Sequence, residues 1–355
     1  MLEFQMQISL LLTIFIIAIV LHIILIRNAQ FLKLMDIPNE RSAHKNAVPR
    51  GAGIAIVLSV FLVELLFNLE YMLSHVYIYT AIFLVFLVGL IDDRSDVSPR
   101  LKFVIIFIAT ILIYIADVQI SYLGTYFSYD VLLPSLLIFP FTFFAIAGFT
   151  NGFNLIDGLD GLAGSVSLVM LSTFFAIGMI YNDTLIIALS SSFIIAVIAF
   201  LIFNWNPAKI FMGDSGSLTL GFVISVLSIK SIQYISPAAV LFIMALPILD
   251  TFVVMRRRMQ RGHSIFQADK NHMHHFLLNV KGDVRYTVML LVSLQIIFSI
   301  LGFQLREDND FLTVLLFVLL FFVFLNLFDQ RLRRRKKTKS QRKRHHKIQN
   351  QLENK

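Results

Sequence analysis

Between two long apolar runs the chain reads Asn151-Gly152-Phe153-Asn154-Leu155-Ile156-Asp157-Gly158-Leu159-Asp160-Gly161-Leu162-Ala163-Gly164, with no Lys or Arg to neutralise its carboxylates. Asp157 and Asp160 are three apart and share one face if the next helix starts near Asp157; Asn154 joins that face one turn earlier. A helix N-terminus favours a capping carboxylate, but one cap uses one Asp. Two Asn, two Asp and four Gly in this stretch exceed that need and call for a cation from elsewhere in the protein or its ligands.

Three further constellations carry related chemistry. In Gly89-Leu90-Ile91-Asp92-Asp93-Arg94-Ser95-Asp96, adjacent carboxylates end an apolar run. Neighbouring helical residues point about 100° apart, so Asp92 and Asp93 face one ligand together only if the helix ends there. One can then meet a metal or phosphate cluster while the other acts as base or orienting group. In Asn204-Trp205-Asn206-Pro207-Ala208-Lys209-Ile210-Phe211-Met212-Gly213-Asp214-Ser215-Gly216-Ser217, a carboxylate, two hydroxyls and backbone N–H groups precede a short apolar run. That donor set suits a metal bridged to phosphate, with Asp214 as the direct metal ligand. A longer loop holds Asp269, His272, His274 and His275. Its spacing matches neither His-Glu-x-x-His nor a zinc finger, so phosphate binding by these His is favoured over metal binding. Arg41, His44, Lys45 and Arg50 offer a fourth, cationic patch for phosphate, although a basic loop that holds topology explains them as well when taken alone.

The elements that must position these residues are membrane spans. Of 355 residues, 57% are hydrophobic, and the mean hydropathy of +0.79 lies outside the range of water-soluble domains. No cysteine is present, so neither a disulfide nor a thiolate metal site enters the argument. Eleven apolar runs are candidates to cross about 30 Å of hydrocarbon: Ile8–Ile26, Gly51–Phe67, Val76–Ile91, Leu101–Ala116, Val131–Gly148, Leu162–Tyr181, Thr184–Phe203, Ser217–Ile229, Ile235–Met255, Thr287–Phe303 and Phe311–Phe328. Three of them, Val76–Ile91, Leu101–Ala116 and Ser217–Ile229, are short and must borrow polar flanks or lie buried among other helices. Glu64 and His22 fall inside spans, are read as lying toward the outer side, and receive no chemistry.

With the N-terminus outside, 28 of the 30 Lys and Arg fall on the inner side, and only Lys230 and Arg306 fall outside. The bias persists without the basic tail, so the positive-inside rule fixes the orientation. The expected fold is an all-α polytopic integral membrane protein of about 11 transmembrane helices, N-terminus outside and C-terminus cytoplasmic. Residues 1–328 form the catalytic membrane domain, with cytoplasmic active-site loops at 27–50, 92–102, 149–161, 204–216 and 256–286. Residues 329–355 are a basic tail expected to be disordered near an anionic leaflet; it lacks aromatic interleaving, so nucleic acid is not an expected partner.

Together the inner loops hold what is needed to bind an anionic diphosphate through Mg²⁺, which uses one or two carboxylates plus substrate oxygens. Phosphoryl-type transfer needs mainly positioning and charge neutralisation. The absence of Cys and of a Gly-x-Ser-x-Gly element gives no support to acyl transfer. An ion-coupled secondary transporter is the alternative from another class, but transporters set their acids near the bilayer midplane and these gather at the cytoplasmic ends.

Asp92-Asp93, Asn151-x-x-Asn154-x-x-Asp157-Gly-Leu-Asp160-Gly-Leu, Asn204-x-x-Pro-Ala-Lys-Ile-Phe-Met-Gly-Asp214-Ser-Gly-Ser and Asp269-x-x-His272-x-His274-His275 resemble the polyprenyl-phosphate N-acetylhexosamine-1-phosphate transferases, the WecA/TagO/MraY superfamily of glycosyltransferase family 4. The resemblance runs from about Asp36 to Leu278, in family order. It implies transfer of a HexNAc-1-phosphate from a UDP-sugar to polyprenyl phosphate, such as undecaprenyl phosphate, with release of UMP and with Mg²⁺ or Mn²⁺ present. It further implies a multi-pass protein of the bacterial inner membrane that initiates a cell-envelope glycan, with a homodimer as the assembly. By motif position Asp214 would bind the metal, Asp92 or Asp93 would handle the lipid phosphate, and Asn154 and Asp157 would support the reaction centre. Asp160, Asn204 and Phe211 would line the uridine site, His272, His274 and His275 would contact phosphates, and Lys45 or Arg50 would help with nucleotide or lipid phosphate. The interrupted His272-Met273-His274-His275 differs from the three consecutive His of the muramoyl-pentapeptide branch, which favours the WecA/TagO side; Arg50-Gly51-Ala52-Gly53 departs from the Gly-Gly pair of many members.

Overall fold

In the computed structural model, which describes residues 2–38, 47–260, 262 and 272–326, every one of the eleven apolar runs lies largely on helix. In chain order the helices are α1 (Leu2–Asn28), α2 (Gly53–Phe67), the short α3 (Leu69–Ser74), α4 (Val76–Arg94), α5 (Pro99–Ile115), α6 (Ser135–Asn154), α7 (Leu162–Tyr181), α8 (Thr184–Asn204) and α9 (Asp214–Ser231). They continue with α10 (Pro237–Ile243), α11 (Ala245–Gln260), α12 (Met273–Lys281), α13 (Val284–Gln304) and α14 (Asp310–Asn326). Two small antiparallel strand pairs and a 3₁₀ turn at Leu305–Glu307 complete the described elements, β1 (Met35–Asp36) with β2 (Val48–Pro49) and β3 (Tyr122–Tyr126) with β4 (Tyr129–Leu132).

By length and composition six described helices can cross a membrane, α1, α4, α6, α7, α8 and α13, or seven if α10 and α11, bent by 82°, form one span. The sequence reading counted eleven because it scored apolar runs rather than helix length. Helices α2, α5 and α9 have 15, 17 and 18 residues, too short or too polar to qualify alone. The outer helices show why the chain needs lipid. α1 buries Ile14, Ala18, His22 and Leu25 and exposes Leu12, Ile16, Val20 and Ile24, an apolar face that the described residues leave uncovered.

Helix α9 is the hub. Every residue from Ser215 to Ile229 is buried, and the helix packs against α2, α4, α6, α7 and α8. Its hydroxyls bond back to carbonyls one turn earlier, Thr219 to Ser215 at 2.6 Å and Ser225 to Gly221 at 2.8 Å, so a polar composition is buried without orphaned groups. Small residues let the backbones meet, as in membrane helix packing. A Cβ on Gly53 of α2 would stand 2.1 Å from the Gly216 nitrogen, and one on Gly89 of α4 would stand 2.5 Å from the Asp214 carbonyl oxygen. This is how a run short for a span survives: it borrows Asp214, Ser215 and Gly216 and is enclosed by longer helices.

His22 corrects one reading. It stacks on Phe203 with ring centroids 5.5 Å apart, beside Asn204 at the end of α8 that carries the polar loops, because α1 runs toward that end and His22 lies in its last two turns. Glu64 faces neighbouring helices, accepting from Asn68 Nδ2 at 2.9 Å and from Ser192 Oγ of α8 at 3.2 Å.

Candidate active site

The N-terminus of α9 has no cap of its own, since Gly213 in the capping position lacks a side chain. Asp93 supplies one from α4. Its Oδ1 accepts from the Asp214 N–H at 2.8 Å, and its Oδ2 accepts from the Ser215 N–H at 3.1 Å and Ser215 Oγ at 2.5 Å. A buried carboxylate at a helix N-terminus satisfies orphan donors and meets the positive end of the dipole. Gly213, at φ +73, is required here: a Cβ would lie 2.5 Å from Asp93 Oδ1. α4 continues through Arg94, so the adjacent carboxylates diverge, Asp93 inward and Asp92 toward the loops.

Asp92 Oδ1 accepts from the Val97 N–H at 2.7 Å, and its Oδ2 lies 2.8 Å from Lys102 Nζ. The same ammonium donates to Asp214 Oδ2, so Asp92 and Asp214 converge on one cation. Lys102 sits in the first turn of α5, which Pro99 opens and Ser98 Oγ caps by accepting from the Leu101 N–H at 3.3 Å.

The opening stretch folds differently from the expected helical face. α6 runs to Asn154, α7 starts only at Leu162, and Asp157 and Asp160 lie in the loop between them. Gly161, at φ +79, occupies the α7 capping position with no side-chain cap, so neither Asp is a helix cap. Asn154 Nδ2 donates to Ser217 Oγ at 2.8 Å, tying the end of α6 to the start of α9. Asp157 makes no side-chain hydrogen bond among the described residues. Burial, then the charges of Asp214, Asp93 and Asp160, push its carboxyl up to about 8. Asp160 Oδ2 accepts from Asn206 Nδ2 at 2.8 Å and the Ala208 N–H at 3.0 Å. Asn204 accepts from the Gly161 N–H at 2.8 Å and donates to the Ile210 carbonyl at 2.8 Å. Asp160 and Asn204 thus lock the 155–161 and 205–213 loops together.

Phe211 is half-buried in that second loop, which pairs with the segment around Arg50: the Phe211 N–H donates to the Pro49 carbonyl at 2.8 Å and its carbonyl accepts from the Ala52 N–H at 3.1 Å. Arg50 is therefore carried to the same end, half-buried on the β1–β2 hairpin. Lys45, like Arg41, His44 and Asp269, lies outside the described residues, as does the tail 329–355.

Of the His cluster, His272 is bonded through Nδ1 to Asp250 Oδ2 at 2.8 Å, while Asp250 Oδ1 accepts from the Met273 N–H at 2.8 Å. His274 stacks on His272 with centroids 5.8 Å apart, and His275 adjoins it at 4.3 Å. His274 is 2% exposed, its Nε2 has no hydrogen-bond partner among the described residues, and it abuts Gly158, where a Cβ would come within 2.2 Å. Burial, then the His275 charge, lowers its imidazole to about 3. His274 therefore meets the Asp157 loop as a neutral ring. Arg285 of α13 reaches the 205–213 loop, donating from Nε at 3.0 Å and from Nη2 at 2.7 Å to the Asn206 carbonyl.

Lys102, Asp250 and Arg285 escaped the sequence reading. The signal for Asp250 was present, an acid inside the apolar run Ile235–Met255. Lys102 and Arg285 looked like two more topology charges.

No closed cage of three or more His or acidic groups gathers among the described residues. What they offer is an open arrangement: Asp92 and Asp214 converging on a cation position, beside Asp157, whose ionisation a positive charge would favour. That donor set fits Mg²⁺, which takes one or two carboxylates and completes its shell with water and phosphate oxygens.

Residues 75–232, which contain Asp92, Asp93, Asp157 and Asp214, match the glycosyl transferase family 4 model. The chain is 33% identical over 294 residues to the probable undecaprenyl-phosphate N-acetylglucosaminyl 1-phosphate transferase of Bacillus subtilis (strain 168), covering 81% of this chain and 82% of that protein. It is 30% identical over 309 residues to the undecaprenyl-phosphate alpha-N-acetylglucosaminyl 1-phosphate transferase of Salmonella typhi, and 29% identical over 310 to that of Escherichia coli (strain K12), covering 82% of each chain in both cases. The acidic hub at the start of α9 and these similarities over 81–82% of each chain lead to one conclusion: the chain belongs to glycosyl transferase family 4, among the polyprenyl-phosphate N-acetylhexosamine-1-phosphate transferases.

Proposed function

We propose that this protein transfers GlcNAc-1-phosphate from UDP-GlcNAc to undecaprenyl phosphate at the cytoplasmic face of a bacterial inner membrane, giving the lipid-linked diphosphate sugar and UMP. The carrying observation is the convergence of Asp92 and Asp214 on one cation position at the N-terminus of buried α9. The names of the relatives supply the acceptor and the transferred GlcNAc-1-phosphate, and the family resemblance of the motifs supplies the UDP-linked donor. In net balance an oxygen of the lipid phosphate becomes bonded to the sugar-bearing phosphorus, the bond from that phosphorus to the bridging oxygen breaks, and UMP leaves with that oxygen. When bound, Mg²⁺ or Mn²⁺ neutralises diphosphate charge.

The roles follow from what each side chain has left to give. Both oxygens of Asp93 are taken by α9, so Asp93 positions Asp214 while Asp92 and Asp157 meet the reacting phosphates. His272, oriented by Asp250, presents its other ring nitrogen as a phosphate contact. Phe211 and Arg50 fit the nucleotide side, and Asp160 and Asn204 hold the loops that frame it. An eleven-span topology with these loops inside agrees with the distribution of Lys and Arg.

The test is a panel of UDP-sugars offered to detergent-solubilised protein with undecaprenyl phosphate and Mg²⁺. UDP-GlcNAc should yield labelled lipid and UMP, and Asp214→Asn should abolish both. Full transfer by Asp214→Asn would refute the assignment.

A further inference from the structure

Lys102 bonds to both Asp92 and Asp214, and no sequence motif assigned it a role. We infer that Lys102 is the resident counter-ion of the Asp92–Asp214 pair, and that a divalent cation taking up this position must displace its ammonium.

Few carboxylate oxygens at this position remain available to a cation. Asp93 cannot share the load, since its two oxygens hold the first N–H groups of α9 and Ser215 Oγ. Asp92 Oδ1 is fixed by the Val97 N–H, which leaves Oδ2 turned to Lys102. Asp214 Oδ2 meets the same ammonium, and Asp214 cannot withdraw because its backbone starts α9 against Gly53 and Gly89. Two carboxylates are thus built to face one point, and one positive charge keeps them together.

A second cation on the same oxygens would lie within contact range of that ammonium, where like charges repel strongly in a partly desolvated setting. The three side chains are 16% to 27% exposed, so water screens the repulsion only in part. The structure resolves the conflict through side-chain type. Lysine is a point charge on a flexible four-carbon stem and can swing away, whereas the carboxylates are anchored by backbone contacts. Divalent binding to the free protein is then weakened by an internal competitor, and a diphosphate substrate contributes the further oxygens that tip the exchange. This last clause rests on the proposed function; the competition itself does not.

The experiment is a Mn²⁺ titration read by electron paramagnetic resonance of the free ion, on the full chain in detergent, without nucleotide or lipid. Lys102→Met removes the competitor and should bind Mn²⁺ at least tenfold more tightly than the parent, while Lys102→Arg keeps the charge and should bind as weakly as the parent. Without metal, Lys102→Met should melt below the parent and recover with Mn²⁺. Lys102→Gln, carried alongside, reads the same exchange if the Met variant fails to fold. A folded neutral variant that binds Mn²⁺ no more tightly than the parent overturns the inference. UMP release by the parent protein is measured separately, so transfer with unchanged affinities sinks the counter-ion and spares the reaction, and tight binding without transfer does the reverse.

Discussion

Asp250 Oδ2 lies 2.8 Å from His272 Nδ1, joining a buried carboxylate in α11 to the first residue of the His cluster. The pair fixes which ring nitrogen faces the site, and the second Asp250 oxygen secures the chain at Met273. Asp250→Asn retains the shape and loses the charge, so it should lower kcat by about 10–100-fold with the fold intact. Asp250→Ala should also destabilise the protein by about 3 kcal/mol, because it strands buried partners. Kinetics and thermal unfolding in detergent separate the two effects.

Asp92 and Asp93 are adjacent in sequence and should fail in different ways. Asp93→Ala removes the acceptor of two backbone N–H groups and one hydroxyl, and should cost about 2–4 kcal/mol of stability. Asp92→Asn alters the contacts with Lys102, Val97 and the Asp214 carboxylate but holds no helix N-terminus, so it should melt close to the parent while losing most transfer activity. Melting curves for both variants, with transfer rates for Asp92→Asn, check the contrast.

The approach of α2 and α4 to α9 leaves no room for a methyl group. Gly53→Ala and Gly89→Ala would each press on backbone, which cannot rotate away, and both should abolish recovery of folded protein. Gly148→Ala on α6 has open space and should be neutral. Size-exclusion profiles of fluorescent fusions give the answer directly.

His274 gives the protein a pH signature. Its folded value of about 3 lies below the unfolded value of 6.5, so the neutral ring stabilises the fold fully above pH 6.5. As pH falls from 6.5 toward 3 the unfolded chain takes up a proton that the folded chain refuses, and stability declines. At pH 5 the loss is on the order of 2 kcal/mol. Melting temperatures from pH 7.5 to 5 should fall less steeply in His274→Gln than in the parent.

Much of this was legible before any coordinates. Apolar runs marked the helices, and the loops around Asp92, Asp157, Asp214 and His272 were assigned to one end by charge distribution; the fold does bring them together. What the sequence hid was long-range pairing. Periodicity cannot show that Asp93 caps a helix more than a hundred residues later, or that Asp250 and Lys102 find partners outside their own helices. It misled at Asp157 and Asp160, where the spacing suits a helix but the left-handed Gly161 delays α7 to Leu162. Nor could it show that α9, short for a span, is buried by its neighbours rather than by its own length.

In the proposed reaction the sugar leaves its nucleotide together with a phosphate. UDP-GlcNAc carrying ³²P in the phosphate next to the sugar, incubated with the protein, undecaprenyl phosphate and Mg²⁺, tests it most directly. The label should enter the lipid phase, and unlabelled UMP should appear in equal amount. Label that stays in the aqueous phase as UDP, or no lipid product at all, would contradict it.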